Sequence, residues 1–179
     1  SLPPGVPDDF YGQVAELSGR LKAKFVLDTS GRPMKAAVDK SPFLIKPNLR
    51  ELEDLSGDKV QNDGQLADTA NRLVDEGKSQ IIVVSMGAAG LFAAWRGGSK
   101  RLGAPTVPIN SRVGAGDSMV AGMVLRLSQG EDLDDALRFG LAAGAAAVMS
   151  PGTALCNRQD TERLYGCLRD ENGACEETG

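Results

Sequence analysis

The chain has 179 residues, enough for one well-packed domain or two small ones. Hydrophobic residues make up 41% and charged residues 25%, ordinary for a globular protein, and a net charge of -4 argues against nucleic acid or an anionic membrane as the main partner. Histidine is absent, which excludes Ser-His-Asp and Cys-His catalysis and every His-containing metal site.

SLPPGVP at 1–7 reads as a loop, after which Asp8 can cap a helix running to about residue 22, with Phe10, Val14, Leu17 and Leu21 in helical spacing. KFVLD at 24–28 predicts a short buried strand, ended by Thr29-Ser30-Gly31, and residues 32–38 predict a helix. FLIKP at 43–47 is a second strand, stopped by Pro47, and Asn48 then caps a short helix to residue 55. Residues 65–76 predict a helix with Leu66, Ala70, Leu73 and Val74 on one face and Gly77 as its stop.

QIIVVS at 80–85 is the clearest strand, and its unbroken apolar run suits a central parallel strand covered on both faces. Residues 91–95 and 101–107 predict further strands, with Gly97-Gly98 as the turn. A helix follows VGAGD and runs to about residue 128, with Met119, Val120, Met123, Val124 and Leu127 inward. The next, 133–149, is apolar nearly all round in FGLAAGAAAVM and should be deeply buried. A last helix spans 160 to about 168, and ENGACEETG is expected to be a mobile tail. This alternation implies an α/β protein: an open, mainly parallel sheet with helices on both faces, in one domain over 1–169 with 170–179 as the tail.

No apolar run approaches a membrane span and no signal-peptide pattern opens the chain. Cys156, Cys167 and Cys175 show neither metal-ligand spacing nor a disulfide framework, which fits a reducing cytoplasm.

Ligands of open parallel sheets bind where strands end and helices begin. Four loops lie at such points: DTSG at 28–31, KPNLRE at 46–51, SMGAAG at 85–90 and GAGD at 114–117. Standard fingerprints do not fit them: Gly-x4-Gly-Lys-Ser/Thr is absent, and Met119 occupies the place of a third dinucleotide glycine. Asn48 and Glu51 suit a capping box.

In combination these stretches resemble the ribokinase-like (pfkB) carbohydrate kinases. The matching residues are LPPG at 2–5, DTSG at 28–31, KPN with Glu51, VVSMGAAG at 83–90, VGAGDSMVAG at 113–122, RFGLAAGAAA at 138–147 and GTALC at 152–156, in the family's order. The resemblance implies a ribokinase-like fold whose N-terminal strands, most of the sugar pocket and the small lid sheet precede Ser1. It also implies homodimerisation of the full-length form through that lid.

What it implies for chemistry attaches to individual residues. Backbone N–H groups of Gly114, Ala115 and Gly116, at the positive end of a helix, would cradle the γ-phosphate of ATP, and Asp117 would be the general base. Asn48 and Glu51 would organise Mg²⁺ through water, with Asp28 in the same network, while Lys46 would neutralise phosphate charge. Ser85, Gly87 and Gly90 would form the nucleotide-side loop. The small residues around Ala145 either admit the adenine or simply pack a helix tightly. Ser111, Val113, Ala147, Ser150 and Gly152 match a site for a monovalent cation such as K⁺, held largely by backbone oxygens.

Two departures stand out. Arg112 replaces a Thr or Ser common in relatives, placing a cation beside the phosphates, and Ala154 replaces a common arginine. The GTALC stretch favours the 6-phosphofructokinase branch, with tagatose-6-phosphate, fructose-1-phosphate and ribose kinases as competitors. A different class, an inactive nucleotide-binding or assembly module, stays open.

Overall fold

The structure, a computed structural model, describes residues 2–170; the expected tail and Cys175 lie outside them. The chain forms two compact units, Ser1–Met86 with Leu91–Arg101, and Gly87–Gly90 with Leu102–Gly179.

The first unit is built on a sheet. Strands β1 (Val26–Leu27), β2 (Leu44–Ile45) and β3 (Ile81–Ser85) are neighbouring and parallel, in the order expected. Strand β4 (Leu91–Trp95) then pairs antiparallel with β3, in register Ile81 to Trp95 through Ser85 to Leu91. The sheet is therefore mixed, its parallel part joined by the crossover helices α2 (Gly31–Val38), α3 (Leu49–Ser56) and α4 (Asp63–Asp75). Strand β5 spans Gly98–Leu102 rather than 101–107, and the turn is Arg96-Gly97, where Gly97 takes φ 86°. Alternation in 98–102, not the apolar stretch after it, marks this strand.

Helices α2, α3 and α4 cover one face of the sheet, where Leu27, Ile45, Ile82, Val84, Phe92 and Ala94 join Met34, Leu52, Leu66 and Leu73 in one core. The opposite alternation, Leu44, Ile81, Val83, Leu91 and Ala93, is buried as well, so β3 has the two-sided burial its apolar run predicted.

The first helix departs from expectation. Helix α1 spans Phe10–Arg20, and Phe10, Leu17 and Leu21 are exposed. Gly12 and Ala15 are its buried residues instead. A Cβ on Gly12 would stand 3.3 Å from the Ala36 carbonyl, so close approach to α2, not the apolar stripe, orients this helix. Asp8 does not cap it; its carboxylate pairs with Arg32.

The second unit holds α5 (Ala115–Ser128), α6 (Leu133–Met149) and α7 (Arg158–Arg169). Helices α5 and α6 meet through glycine: a Cβ on Gly140 would lie 2.4 Å from Met123, and one on Gly122 would lie 3.0 Å from Ala143. Met119 and Met123 face inward as predicted, but Val124 is exposed.

A polar brace ties the three helices. Arg126 donates from Nε to Asp135 Oδ2 at 2.6 Å and from Nη2 to the Tyr165 hydroxyl at 3.0 Å, and that hydroxyl also bonds Asp135. The guanidinium lies 5.1 Å from the ring centres of both Phe139 and Tyr165. Its hydrogen bond holds the Asp135 carboxyl below the usual carboxylate range, against the opposing effect of burial.

No helix among the described residues is long and apolar enough to cross a membrane. Cys156 is a free thiol.

Candidate active site

In the first unit, the C-terminal ends of β1, β2 and β3 bring the starts of three predicted loops to one sheet edge. Lys46 N–H donates to the Leu27 carbonyl at 3.2 Å, which sets Asp28 beside Lys46. The Lys46 ammonium then meets Asp28 Oδ2 at 3.1 Å. The lysine side chain is only 6% exposed and the aspartate 30%, so this is a buried cation with a half-open partner. A solvated lysine, the ordinary fate after a strand, is not what the fold makes. Burying an ammonium is costly unless it is paired, and here one carboxylate supplies the pairing.

Next to this pair, Ser85 N–H donates to the Pro47 carbonyl at 2.9 Å, and Asn48 bridges to Ser85. Asn48 opens α3 with a complete capping box. Its Oδ1 accepts from Glu51 N–H at 2.9 Å, and Glu51 Oε2 accepts from Asn48 N–H at 2.8 Å. Asp28, Lys46, Asn48, Glu51 and Ser85 thus share one edge of the sheet.

Thr29 adds a group that the sequence reading passed over. It is 6% exposed, and its hydroxyl has no hydrogen-bond partner. Its position directly after Asp28 was the available signal.

In the second unit, Gly114 is the N-cap of α5 with φ 77°, and no side chain caps the helix. The contrast with α3, α4, α6 and α7 is sharp: Asn48, Asn62, Asp132 and Asn157 each accept a backbone N–H there. Helices α1 and α2 also lack such a bond, but they start from Asp9 and Ser30, which carry acceptor side chains. Only α5 among the described helices is opened by a residue with no side chain. Its first-turn N–H groups have no intrahelical acceptor, the arrangement that suits an anion at a helix start. Asp117 sits in that first turn and is exposed. Ser118, next in sequence, is 3% exposed with an unpartnered hydroxyl.

The segments implied for a monovalent cation are partly brought together. Asn110 and Ser111 N–H groups both donate to the Val148 carbonyl, at 2.9 and 3.1 Å, and Asn110 Nδ2 donates to the Met149 carbonyl at 2.7 Å. Ser150 N–H donates to the Ala147 carbonyl at 3.1 Å. Val113, Arg112 and Gly152 are exposed beside these segments. No group of three or more Cys, Asp or Glu side chains that could hold a metal ion occurs among the described residues.

The remaining positions separate. Gly87 is exposed and opens a short 3₁₀ turn. Gly90 is buried at φ 91°, where a Cβ would stand 2.0 Å from the Leu102 carbonyl, so its missing side chain serves the backbone of 102–104. Ala145 packs with Phe139, Ala142, Leu164 and Tyr165, the tight-packing reading of the alanine run.

The family model of the pfkB carbohydrate kinases matches residues 1–160. The chain belongs to that family. It is 40% identical over 165 residues to the ATP-dependent 6-phosphofructokinase isozyme 2 of Mycobacterium tuberculosis, covering 92% of this chain and 48% of that one. It is 35% identical to a 1-phosphofructokinase of Borreliella burgdorferi, covering 96% and 55% respectively. Among solved structures, phosphofructokinase-2 of Escherichia coli, in a complex with potassium, superposes with a TM-score of 0.89 at 34% identity, over 94% of this chain and 55% of that one. The pfkB chain described here therefore spans about half the length of the relatives it matches.

Proposed function

We propose that this chain carries the ATP side and the catalytic base of a sugar-phosphate kinase, with fructose 6-phosphate as the acceptor. One observation carries the reading: α5 begins with an uncapped, left-handed Gly114 and holds an exposed Asp117 in its first turn. Open N–H groups at a helix start suit the charge that spreads over a transferring phosphoryl group. Asp117 accepts the proton of the attacking sugar hydroxyl, whose oxygen bonds to the γ-phosphorus as the bond to ADP breaks. The proton stays on Asp117 until solvent removes it.

At the sheet edge of the first unit, Lys46 is a buried ammonium oriented by Asp28, a charge that the family resemblance assigns to phosphate. Ser85 and Gly87 border the nucleotide, and Arg112 adds a mobile cation. Mg²⁺, when bound, screens phosphate charge. The residues fit it through water, because the capping box engages Glu51 Oε2 and Asn48 Oδ1 and leaves the second Glu51 carboxylate oxygen outside that box. K⁺ or a similar ion beside 111–113 and 147–152 is part of the same reading, as are a cytoplasmic setting and a homodimer of the full-length form.

The stretch GTALC and the identity to isozyme 2 support fructose 6-phosphate, while the likeness to a 1-phosphofructokinase keeps fructose 1-phosphate as the second reading. Kinetics of the full-length protein with fructose 6-phosphate, fructose 1-phosphate, tagatose 6-phosphate and ribose, beside calorimetry of ATP binding, test this. The expected result is the largest kcat/KM for fructose 6-phosphate. ATP binding without transfer to any of the four sugars favours the binding-module reading instead.

A further inference from the structure

Two chain segments meet at Gly114, and both are tied to the last turn of α6. The approach from 110–111 is held by the Asn110 and Ser111 bonds to the Val148 and Met149 carbonyls. The second segment is the loop that leaves α6. Ser150, the C-cap of that helix, is 8% exposed, and its hydroxyl donates to the Leu155 carbonyl at 3.0 Å, with the Ala146 carbonyl as an alternative acceptor at 3.4 Å. Inside this loop Ala154 N–H closes a turn on the Pro151 carbonyl at 3.2 Å. The loop is thereby folded back on itself, and the Leu155 side chain is delivered to Gly114. Leu155 Cδ2 lies 2.8 Å from where a Cβ on Gly114 would stand.

Leu155 is 61% exposed, so burial alone does not hold its side chain there. Gly114 sits at φ 77°, and glycine crosses between backbone basins more freely than any other residue. A glycine at the start of an anion cradle therefore needs something outside itself to stay in one basin.

We propose that Ser150 and Leu155 are positioning residues for the α5 cradle: the Ser150 hydroxyl latches the loop, and the Leu155 side chain braces Gly114 in the conformation that keeps the first-turn N–H groups converged. This rests on reading the cradle as the phosphate site. Neither residue touches the phosphate; each acts through Gly114.

The test uses Leu155→Ala, Leu155→Met and Ser150→Ala in the 179-residue chain, with two probes by calorimetry, ATP and inorganic triphosphate. Amide hydrogen exchange at 114–117 and thermal melting are followed in parallel. Leu155→Ala is expected to weaken both probes in parallel by about 3- to 10-fold and to speed exchange at 114–117, with the melting temperature nearly unchanged because the side chain is exposed. Leu155→Met should restore most of both effects, and Ser150→Ala should act in the same direction as Leu155→Ala. Weakened ATP binding with unchanged triphosphate binding would mean that Leu155 contacts the nucleoside, and the proposal would fall. Unchanged exchange at 114–117 overturns it too. If the wild-type chain binds neither probe, the phosphate reading fails on its own, while exchange at 114–117 still decides whether the latch exists.

Discussion

The starts of α3 and α5 solve the same physical problem in opposite ways. At α3 the exposed N–H groups are answered within the chain, by Asn48 and Glu51 in a closed reciprocal pair. At α5 the N-cap is Gly114, and nothing in its own side chain answers them. A closed start is worth stability, whereas a start opened by glycine forgoes about a few tenths of a kcal/mol of capping. The difference teaches that a helix start can be closed by its own side chains or left without a side-chain cap. Beside α3 lies the buried Lys46–Asp28 pair, and a pair of such residues is weak evidence for stability and better evidence for a task.

The largest effect expected from disturbing this contrast is on chemistry. In the full-length protein, Asp117→Asn should lower turnover by roughly 10²-fold or more while ATP affinity changes far less. Loss of ATP binding with turnover per bound ATP intact would make Asp117 a structural group of the α5 start, and would break the comparison.

Closing the open end is the second intervention. Gly114→Ala puts a Cβ at φ 77° against Leu155 Cδ2, and the left-handed basin costs a non-glycine residue roughly 1–2 kcal/mol. Triphosphate affinity of the chain should fall about tenfold in calorimetry. Unchanged affinity would mean that the N–H groups of α5 are not the anion site.

Opening the closed end is the third. Asn48→Ala should cost about 1 kcal/mol in urea unfolding and leave triphosphate binding without Mg²⁺ nearly unchanged. A fall in Mg²⁺-free binding equal to that of Gly114→Ala would erase the distinction between the two starts.

The smallest effect expected concerns the brace behind α5. Asp135 has a lowered folded-state pKa, so its contribution is full above the ordinary carboxylate range and is lost as pH falls through that lowered value. Asp135→Asn should therefore lower the melting temperature at pH 7 and make little difference near pH 2. An equal loss at both pH values would mean that shape, not charge, is what Asp135 supplies.

Much of this was legible in the sequence where the signal is local. The capping box of Asn48 and Glu51, the face of α4 and the run of β3 each depend on residues within one or two turns or one strand. The α5 start was legible because glycine and an acidic first turn are side-chain identities, not contacts. What escaped depends on distant partners. The apolar stripe of α1 misled because Gly12 meets Ala36 across two helices, and small size is a weaker sequence signal than hydrophobicity. The sequence pointed to Lys46 as a phosphate partner but not to its burial or its pairing with Asp28, which come from the strands around it. The hold of Ser150 on Leu155, and of Leu155 on Gly114, crosses 41 positions between residues 114 and 155 and leaves no periodicity to find.

The central claim is that the first turn of α5 binds the phosphates of ATP through its backbone. Titrating the ¹⁵N-labelled chain with ATP and following amide resonances tests it most directly. The account predicts that the Ala115, Gly116 and Asp117 N–H signals shift the most, and that inorganic triphosphate reproduces those shifts. Saturable ATP binding that leaves these three signals in place would contradict it.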